Sequence, residues 1–226
     1  VLFEIFVLLM RHRYLGQAFD GSAFLTGVLL AMCLPSTVPL YVPVTGAFIA
    51  IVMAKHSMGG LGYNIFNPAH IGRAALLVSW PIAMTTWSPM ASKAAGAVDA
   101  VTTATPLSIL KYQGYDRLIE TFGSPETLYK ALFFGQRNGC IGETSTFLLL
   151  LGGLFLIYKG YIDWIVPAVM ILGVGLLTWI FGPHGLFTGD PLFHMMAGGL
   201  VIGAFFMATD MVTTPITRKG RVLFAA

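Results

Sequence analysis

A group of threonine hydroxyls lies in the segment D-A-V-T-T-A-T-P-L, residues 99–107. A hydroxyl is a weak nucleophile unless a neighbouring base activates it, and this segment supplies no His or Cys. We therefore expect no self-catalysed reaction at Thr105. From the residues alone, a Thr/Ala-rich linker ended by Pro106 is the favoured interpretation. Modification of a hydroxyl by another protein is the alternative, and it requires that the segment be accessible.

A second polar segment, G-G-L-G-Y-N-I-F-N-P-A, covers residues 59–69. Its glycines permit unusual backbone angles, and Pro68 restricts the conformation of Asn67. Asn64 and Asn67 offer amide donors and acceptors that could bind a polar heterocycle. The alternative is a capped turn whose amides satisfy its own backbone. Without further knowledge, the residues favour the capped turn.

Acidic residues at the ends of apolar stretches form a third group. Asp210 lies in A-T-D-M-V-T-T-P, after a long apolar stretch and before a basic cluster. An ionisable residue near the end of a membrane span can belong to an ion path. It can equally cap a turn or pair with Arg218, which is the interpretation we favour. Three further residues share this ambiguity: Glu143, Asp190 and His194.

Metal binding and direct catalysis are not predicted. The remaining histidines, His12, His56, His70 and His184, lack the spacing of metal ligands. Cys33 and Cys140 are too few for a disulfide framework or for an iron-sulfur site with all its ligands on this chain. We assign no metal site, and no nucleophile or acid–base catalyst.

The elements that must position these residues are membrane helices. Of the 226 residues, 56% are hydrophobic and 10% charged, and the mean hydropathy is +0.79. A soluble domain carries roughly 25% charged residues, so the 13 basic and 10 acidic residues cannot cover a soluble globule. Composition therefore predicts a membrane protein and excludes collagenous, disordered and nucleic-acid-binding classes.

Apolar stretches separated by Pro, Gly and polar residues predict about seven membrane spans. Several are short against a hydrocarbon core of about 30 Å, which predicts broken helices around an interior site. We also expect both terminal spans to be incomplete. The stretches are 1–10, 21–34, 41–54, 71–84, 144–158, 164–181 and 192–209.

Basic residues fall in alternate short connections, which predicts that those connections face the cytoplasm. The opposite short connections, residues 35–40 and 182–191, contain no Lys or Arg. The long loop of about residues 85–143 then lies on the extracytoplasmic side, because long loops translocate largely regardless of charge. The cytoplasmic charges are Arg11, Arg13, Lys55, Lys159, Arg218, Lys219 and Arg221.

A weak internal repeat relates residues 20–84 to residues 142–215. D-G-S-A-F-L-T-G-V-L-L-A leading to Val42-Pro43 resembles G-E-T-S-T-F-L-L-L-L-G-G leading to Val166-Pro167. Three spans per copy make the second copy insert upside down, as in transport-type inverted repeats. The predicted fold is therefore an all-α polytopic bundle of one membrane domain, residues 1–226. Judged from the repeat alone, chance similarity among apolar segments is an equally good explanation.

Several motifs in order along the chain resemble the family that contains the D subunit of the Rnf complex and the related B subunit of the sodium-translocating NADH:quinone oxidoreductase. The resemblance covers essentially the whole chain, and the modest long loop favours the Rnf branch. The motifs are D-G-S-A-F-L-T-G-V-L-L-A, G-G-L-G-Y-N-I-F-N-P-A, the threonine motif, G-E-T-S, and the segment of residues 190–210.

The resemblance implies FMN joined by a phosphoester to a threonine of an S/T-G-A-T type motif on the outer face. The matching residues here are T-T-A-T, residues 102–105, and Thr105 is the implied acceptor, with Asp99, Thr102 and Thr103 beside it. Thr103 stands where the family often has Gly, so Thr103 is the second candidate. A flavin transferase that uses FAD is implied as the installing enzyme.

In the related B subunit a noncovalent riboflavin lies near the asparagine motif, so the resemblance makes Asn64 and Asn67 candidate contacts of a second flavin. It implies an electron relay in the bacterial cytoplasmic (inner) membrane, within a ferredoxin:NAD oxidoreductase coupled to Na⁺ or H⁺ transport. The implied partners are an outer FMN-carrying subunit, iron-sulfur subunits, the flavin transferase and membrane lipid, and no nucleic acid. The competing classes are a redox-inactive channel or secondary transporter, and a cofactor-free scaffold.

Overall fold

The computed structural model describes residues 1–87, 104–182 and 185–226. Over these residues the protein is mainly helical, as the sequence predicts. Strand in the described part is limited to β1 (Phe181–Gly182) and β2 (Gly185–Leu186), which pair antiparallel. Three of the predicted site residues, Asp99, Thr102 and Thr103, lie outside the described residues.

The chain forms two compact units. The first contains Val1–Thr85 and Asp210–Thr214, and the second contains Thr86–Thr209 and Pro215–Ala226. The helices of the first unit are α1 (Leu2–Met10), a 3₁₀ turn (Leu15–Phe19), α2 (Ser22–Met32), α3 (Tyr41–Phe48) continuing as a π-helical segment (Ile49–Lys55), α4 (Pro68–Ser79) and α5 (Pro81–Thr85).

Glycines let two helices of the first unit approach closely. A Cβ placed on Gly72 of α4 would lie 2.9 Å from the carbonyl oxygen of Gly46 of α3, and a Cβ on Gly46 would lie 2.5 Å from Leu76. Small residues at such a crossing allow backbones to meet, as is usual for membrane helices. An apolar cluster of Leu34, Val42, Leu76 and Met84 packs in the same unit.

The second unit contains the remaining helices. Its apolar cluster comes from α6, α7 and α10 and consists of Ile109, Leu118, Leu128, Leu132, Phe193 and Ala197. The helices are α6 (Pro106–Phe122), α7 (Pro125–Phe134), α8 (Thr146–Tyr158), α9 (Ile165–Ile180), α10 (Pro191–Met196), α11 (Leu200–Ile202) with a π-helical continuation (Gly203–Met207), and α12 (Arg218–Ala225).

Prolines stand in the first turn of α4, α6, α7 and α10. Proline suits this position because its missing N–H would have no partner there and its fixed φ already matches a helix. Gly114 interrupts α6 with φ 86° and ψ 175°, so the helix is two segments joined at a kink. Glycine accepts that positive φ without a steric penalty.

Among the described residues, one helical stretch, Leu15–Met32, is long and apolar enough to cross a membrane by length and composition. Three shorter apolar helices are Tyr41–Lys55, Thr146–Tyr158 and Ile165–Ile180. The two Val-Pro pairs of the repeat lie in the first turns of α3 and α9. The number of spans, the inverted repeat and the single membrane domain stay predictions.

Two features differ from the sequence-based picture. Residues 85–143, taken as a loop, contain α6 and α7, whose starts are fixed by Thr105-Pro106 and Ser124-Pro125. Lys55, counted as a charge of a short connection, is 2% exposed and paired with Glu4. Its charge therefore belongs to the interior of the first unit.

Candidate functional site

Thr105 is the residue before α6, at the start of the helix. Its Oγ1 accepts a hydrogen bond from the Ser108 backbone N–H at 3.2 Å and lies 2.8 Å from the Ser108 hydroxyl. The Thr105 side chain is half-buried, next to an exposed Ala104. The hydroxyl is thus the N-cap of α6, on a residue that is partly exposed.

The first turn of α6 is held against the rest of the second unit. Ile109 of this turn belongs to the buried cluster with Phe193 and Ala197. A Cβ on Gly198, which has φ +67°, would lie 2.8 Å from Leu107 Cδ1, so the glycine backbone comes close to the turn that follows Thr105. The first turn of α6, which follows Thr105, is therefore packed against residues 193–198.

Arg137 organises the backbone beside this turn. Its guanidinium is 5% exposed and donates to the carbonyl oxygens of Glu143, Thr144 (3.2 Å) and Gly198 (3.5 Å). Burial lowers the pKa of Arg137, and the Glu143 charge acts in the opposite direction. A planar guanidinium with five N–H donors suits this task, since it can serve several carbonyls at once.

The G-E-T-S motif has a structural role in this arrangement. Ser145 caps α8 by accepting from the Leu148 N–H at 3.4 Å. Thr146, the residue after the motif, donates to the carbonyl oxygen of Leu132 at 3.0 Å or of Met196 at 3.1 Å. Ser145 of the motif and the following Thr146 therefore join the ends of α7, α8 and α10.

Tyr129 and Asp190 form a further polar contact in the second unit. The Tyr129 hydroxyl donates to one Asp190 carboxylate oxygen, and the other carboxylate oxygen accepts from the Phe193 N–H at 3.0 Å. Burial, with the neighbouring Asp190 carboxylate, raises the pKa of Tyr129 well above its usual value. The tyrosine is thus kept neutral as a hydrogen-bond donor that fixes α10 to α7.

Around Thr105 the described residues offer a hydroxyl and no group that would activate it as a nucleophile. In the part of the chain that the structure describes, the Thr105 hydroxyl contacts the Ser108 side chain and backbone, neither of which is a base. The partial positive charge of a helix N-terminus favours an attached anion such as a phosphate. The described residues therefore fit a phosphoester at Thr105, while Asp99, Thr102 and Thr103 stay untested.

Asn64 and Asn67 lie together on the turn before α4, in the first unit. Asn67 caps α4 by accepting from the Ala69 N–H at 2.9 Å, and Asn64 Nδ2 donates to the Phe66 carbonyl oxygen at 3.1 Å. The preceding glycines have the predicted unusual angles, with φ of +131° at Gly59 and +109° at Gly60. These contacts fit the capped-turn interpretation, and a flavin contact at the asparagines stays a prediction.

Asp210 caps its own turn, accepting from the Val212 N–H at 3.3 Å and from the Thr213 hydroxyl at 3.4 Å. This local role agrees with the cap that the sequence favours. Both cysteines are buried. Within the described ranges, no group of three or more His, Cys, Asp and Glu side chains has the arrangement of a metal site.

A family model, that of the NQR2, RnfD, RnfE family, matches residues 1–226. The chain belongs to the NQR2, RnfD, RnfE family. It is 67% identical over 226 residues to the D subunit of the proton-translocating ferredoxin:NAD(+) oxidoreductase complex of Clostridium ljungdahlii, covering 100% of this chain and 67% of that protein.

Other relatives in the NQR2, RnfD, RnfE family carry related names. The D subunit of the Na(+)-translocating ferredoxin:NAD(+) oxidoreductase complex of Acetobacterium woodii is 44% identical over 210 residues, which cover 91% of this chain and 59% of that protein. The D subunit of the ion-translocating oxidoreductase complex of Stutzerimonas stutzeri is 39% identical over 243 residues, covering 98% and 68%. The chain thus spans about three fifths to two thirds of these relatives.

Several organising residues of this family member escaped the sequence analysis. Ser108 could have been found, because T-P-L-S has the spacing of a helix cap. Arg137 gives no such signal, since its partners are backbone carbonyls that any residue carries. Glu4, Lys55 and His56 come together across a separation of 51 residues or more, which no local pattern reveals.

Proposed function

We propose that the chain is the membrane-embedded D subunit of an Rnf-type, ion-translocating ferredoxin:NAD oxidoreductase, and that it relays electrons through flavin. Family membership and the 67% identity to a relative of that name carry the proposal. The named relatives translocate different ions, protons in one and Na⁺ in another, so the proposal includes either ion.

Thr105 is the proposed attachment site of FMN, through a phosphoester to its hydroxyl. The observation that supports this site is the half-buried hydroxyl at the start of α6, beside a first turn that is fixed by packing. When bound, the flavin supplies one- and two-electron redox chemistry. Thr105 anchors the group, Ser108 orders the first turn, and Arg137 holds the neighbouring backbone in place.

An FAD-using flavin transferase is the proposed partner for maturation, because the described neighbours of Thr105 contain no activating base. The proposed electron donors and acceptors are an outer FMN-carrying subunit and iron-sulfur subunits of the same complex. The relatives' names, which describe subunits of a complex, support the existence of such partners.

The proposed topology is an inverted-repeat helical bundle in the bacterial cytoplasmic membrane, with residues 85–143 on the outer side. The support is that exposed basic residues lie in alternate short connections, whereas residues 35–40 and 182–191 contain no Lys or Arg. The basic residues are Arg11, Arg13, Lys159, Arg218, Lys219 and Arg221. Cysteines introduced near Ala97 and Gly185 should react with an impermeant thiol reagent in intact cells, whereas one near Gly220 should not. The reverse pattern would contradict both the topology and an outer flavin.

A second, noncovalent flavin, riboflavin or a related one, is proposed at Asn64 and Asn67. Two amides on a turn shaped by glycines and Pro68 support this position. Changing both asparagines to Leu should lower the flavin that solvent extracts from the complex and leave covalent flavin unchanged. If the assembled variant contains as much extractable flavin as the wild type, the asparagines have a structural role only.

The deciding experiment compares Thr105→Val with Thr217→Val in the purified complex. Both threonines cap a helix through a backbone N–H, that of Ser108 for Thr105 and that of Gly220, at 3.1 Å, for Thr217. Each change should therefore cost about 1 kcal/mol of capping free energy. In-gel flavin fluorescence of the denatured subunit should disappear in Thr105→Val alone.

Thr105→Ser keeps a hydroxyl and should retain part of the fluorescence. If fluorescence survives in Thr105→Val and disappears in Thr103→Val, Thr103 is the acceptor. If neither change removes it, the covalent site lies elsewhere. A wild-type subunit without fluorescence would favour a redox-inactive channel, transporter or scaffold.

A further inference from the structure

The turn that joins α8 to α9 and the first turn of α12 lie together at one end of the second unit. The Arg221 guanidinium donates to the Asp163 carboxylate and, at 2.9 Å, to the Pro215 carbonyl oxygen. Helix α12 also packs on α9. Residues 158–164 and 218–221 contain four basic residues and one acidic residue, and we call them the basic end.

Most of the positive charge of the basic end is not neutralised by the protein. Its single carboxylate is paired with Arg221. The side chains of Arg218 and Lys219 are exposed and form no ion pair or hydrogen bond with any residue that the structure describes. Lys159 is also exposed, and its ammonium lies 5.9 Å from the centre of the Phe155 ring. Three cations therefore have no anionic partner among the described residues.

Aromatic side chains lie in the same turn as Lys159. Tyr158, Tyr161 and Trp164 are 84%, 60% and 63% exposed. Tyrosine and tryptophan are enriched where membrane helices meet the lipid headgroups, because one part of each ring is apolar and the other part can form a hydrogen bond. Three such exposed rings beside free cations indicate that the basic end lies at the membrane–water interface.

An exposed apolar stripe leads along α8 to the basic end. Residues three and four apart lie on the same face of a helix. The stripe has this spacing, and it ends at Tyr158, directly before Lys159. Its members are Leu148, Leu151, Leu154 and Phe155. The stripe therefore offers an apolar surface to acyl chains, and the cations stand at its end.

The opposite end of α8 and α9 lacks this combination. Residues 182–191, which follow α9, contain no Lys or Arg but include Asp190, and Glu143 comes shortly before α8. The Trp179 ring at that end packs against the Phe187 ring, with 5.1 Å between their centres. An anion would meet acidic side chains there, whereas it would meet free cations at the basic end.

Charge and apolar surface together select an anionic phospholipid as the ligand. Arginine and lysine both bind phosphate, and a guanidinium can donate two parallel hydrogen bonds to it. Acyl chains attached to that phosphate would cover the stripe of α8. A free phosphate ion would use the cations and leave the stripe exposed to lipid. An acidic protein segment would equally have no use for the apolar stripe.

We propose that the basic end is a binding site for an anionic phospholipid. The headgroup charge is balanced by Arg218, Lys219 and Lys159, and the acyl chains lie along the stripe of α8. Arg221, already paired with Asp163, keeps the first turn of α12 beside the turn of residues 158–164. The inference rests on the membrane location that is part of the proposed function. It depends neither on which side of the membrane the basic end faces nor on the flavin.

The test places the photo-crosslinking amino acid p-benzoylphenylalanine at Tyr161 in the intact complex. The complex is reconstituted in equimolar phosphatidylcholine and phosphatidylglycerol with identical acyl chains, so that the two lipids differ in their headgroups alone. After irradiation, mass spectrometry of the subunit identifies each adduct by its mass. A second probe replaces Phe181, which is exposed at the opposite end of α9, and serves as the reference.

The ratio of phosphatidylglycerol to phosphatidylcholine adducts at Tyr161 should exceed the ratio at the reference probe. A cation next to anionic lipid changes binding about fivefold, which corresponds to about 1 kcal/mol. Arg218→Gln and Lys219→Gln should therefore each lower the ratio about fivefold. The matched control is Arg117→Gln/Lys130→Gln, which removes two exposed cations of the same unit that already have carboxylate partners. It should leave the ratio unchanged.

The proposal is overturned if the two probes give equal ratios, or if Arg218→Gln/Lys219→Gln gives the same ratio as the control. Adducts with polypeptide in place of lipid at Tyr161 would also overturn it, and would identify the basic end as a contact with another subunit. If neither probe labels lipid, the membrane location fails together with this site. Flavin fluorescence of the same denatured subunit reports on Thr105 alone, so failure of the flavin proposal is seen separately.

Discussion

The two compact units each bury a cation, and they satisfy it in opposite ways. Lys55 of the first unit meets the side-chain carboxylate of Glu4, with His56 on the same oxygen. Arg137 of the second unit instead donates to the backbone carbonyls of Glu143, Thr144 and Gly198. Carbonyls do not titrate, so the Arg137 network is a fixed structural connection. The first unit instead pairs one ionisable side chain with another.

The largest expected effect breaks the ion pair of the first unit. Lys55→Met leaves the Glu4 carboxylate buried without its cation and should cost about 3–5 kcal/mol of stability. Glu4→Gln/Lys55→Met removes both charges and should restore most of that loss. The measurement is the thermal unfolding midpoint of the purified complex. A double variant as unstable as Lys55→Met would mean that packing, and not charge, dominates here.

The next effect removes the buried cation of the second unit. Arg137→Met leaves three carbonyls without their charged donor and should cost about 2–3 kcal/mol. Arg117→Met is the matched control, since Arg117 is 62% exposed in a surface pair with Glu120, and such pairs contribute at most about 1 kcal/mol. Arg137→Lys should recover only part of the loss, because an ammonium lacks the planar fork.

The two arginine variants are compared by denaturant unfolding, with deuterium exchange of backbone amides in residues 142–146 and 198–199 as a local readout. Faster exchange there in Arg137→Met alone is the expected result. Equal exchange in wild type and Arg137→Met would show that the carbonyl contacts contribute nothing to local order.

The smallest effect tests the fit around Glu143. A Cβ on Gly199 would lie 2.7 Å from Glu143 Oε1, whereas a Cβ on Gly203 would meet nothing within 4 Å. Gly199→Ala should therefore destabilise the chain by about 1–2 kcal/mol, as overpacking does. Gly203→Ala should be nearly neutral in the same thermal measurement. Equal thermal unfolding midpoints for Gly199→Ala and Gly203→Ala would show that the Glu143 side chain moves aside without a cost in stability.

Much of the helical fold could be predicted, because composition and apolar stretches report directly on membrane helices. The turn before α4 was also predictable, since Gly59, Gly60 and Pro68 restrict the backbone locally. Helices α6 and α7 were missed although T-P-L-S and S-P-E-T carry helix-start patterns. The strong apolar stretches elsewhere made this more polar segment resemble a loop by contrast.

The candidate sites likewise differ in whether local sequence or long-range packing brings their residues together. Thr105 stays a prediction from its motif and the family resemblance, and its capping bond to Ser108 is local enough for sequence to indicate. The Glu4–Lys55 contact joins residues 51 apart, and only the packing of α1 on the π-helical segment brings them together. A rule that counts charges by loop assigns a lysine beside a glycine turn to the cytoplasmic side. Only the burial of the side chain distinguishes Lys55 from a lysine that is exposed on a cytoplasmic loop.

The prolines at the starts of α4 and α10, which lie in predicted membrane spans, have a consequence for the surrounding lipid. The residue before a proline avoids helical angles, so these helices cannot gain a turn at that end. A bilayer that is thicker than such a helix cannot be matched by lengthening it. The lipid must adjust instead, by thinning around the protein at a cost of a fraction of a kcal/mol per ångström of mismatch. Membrane thickness is then an external variable to which these proline-started helices cannot adapt.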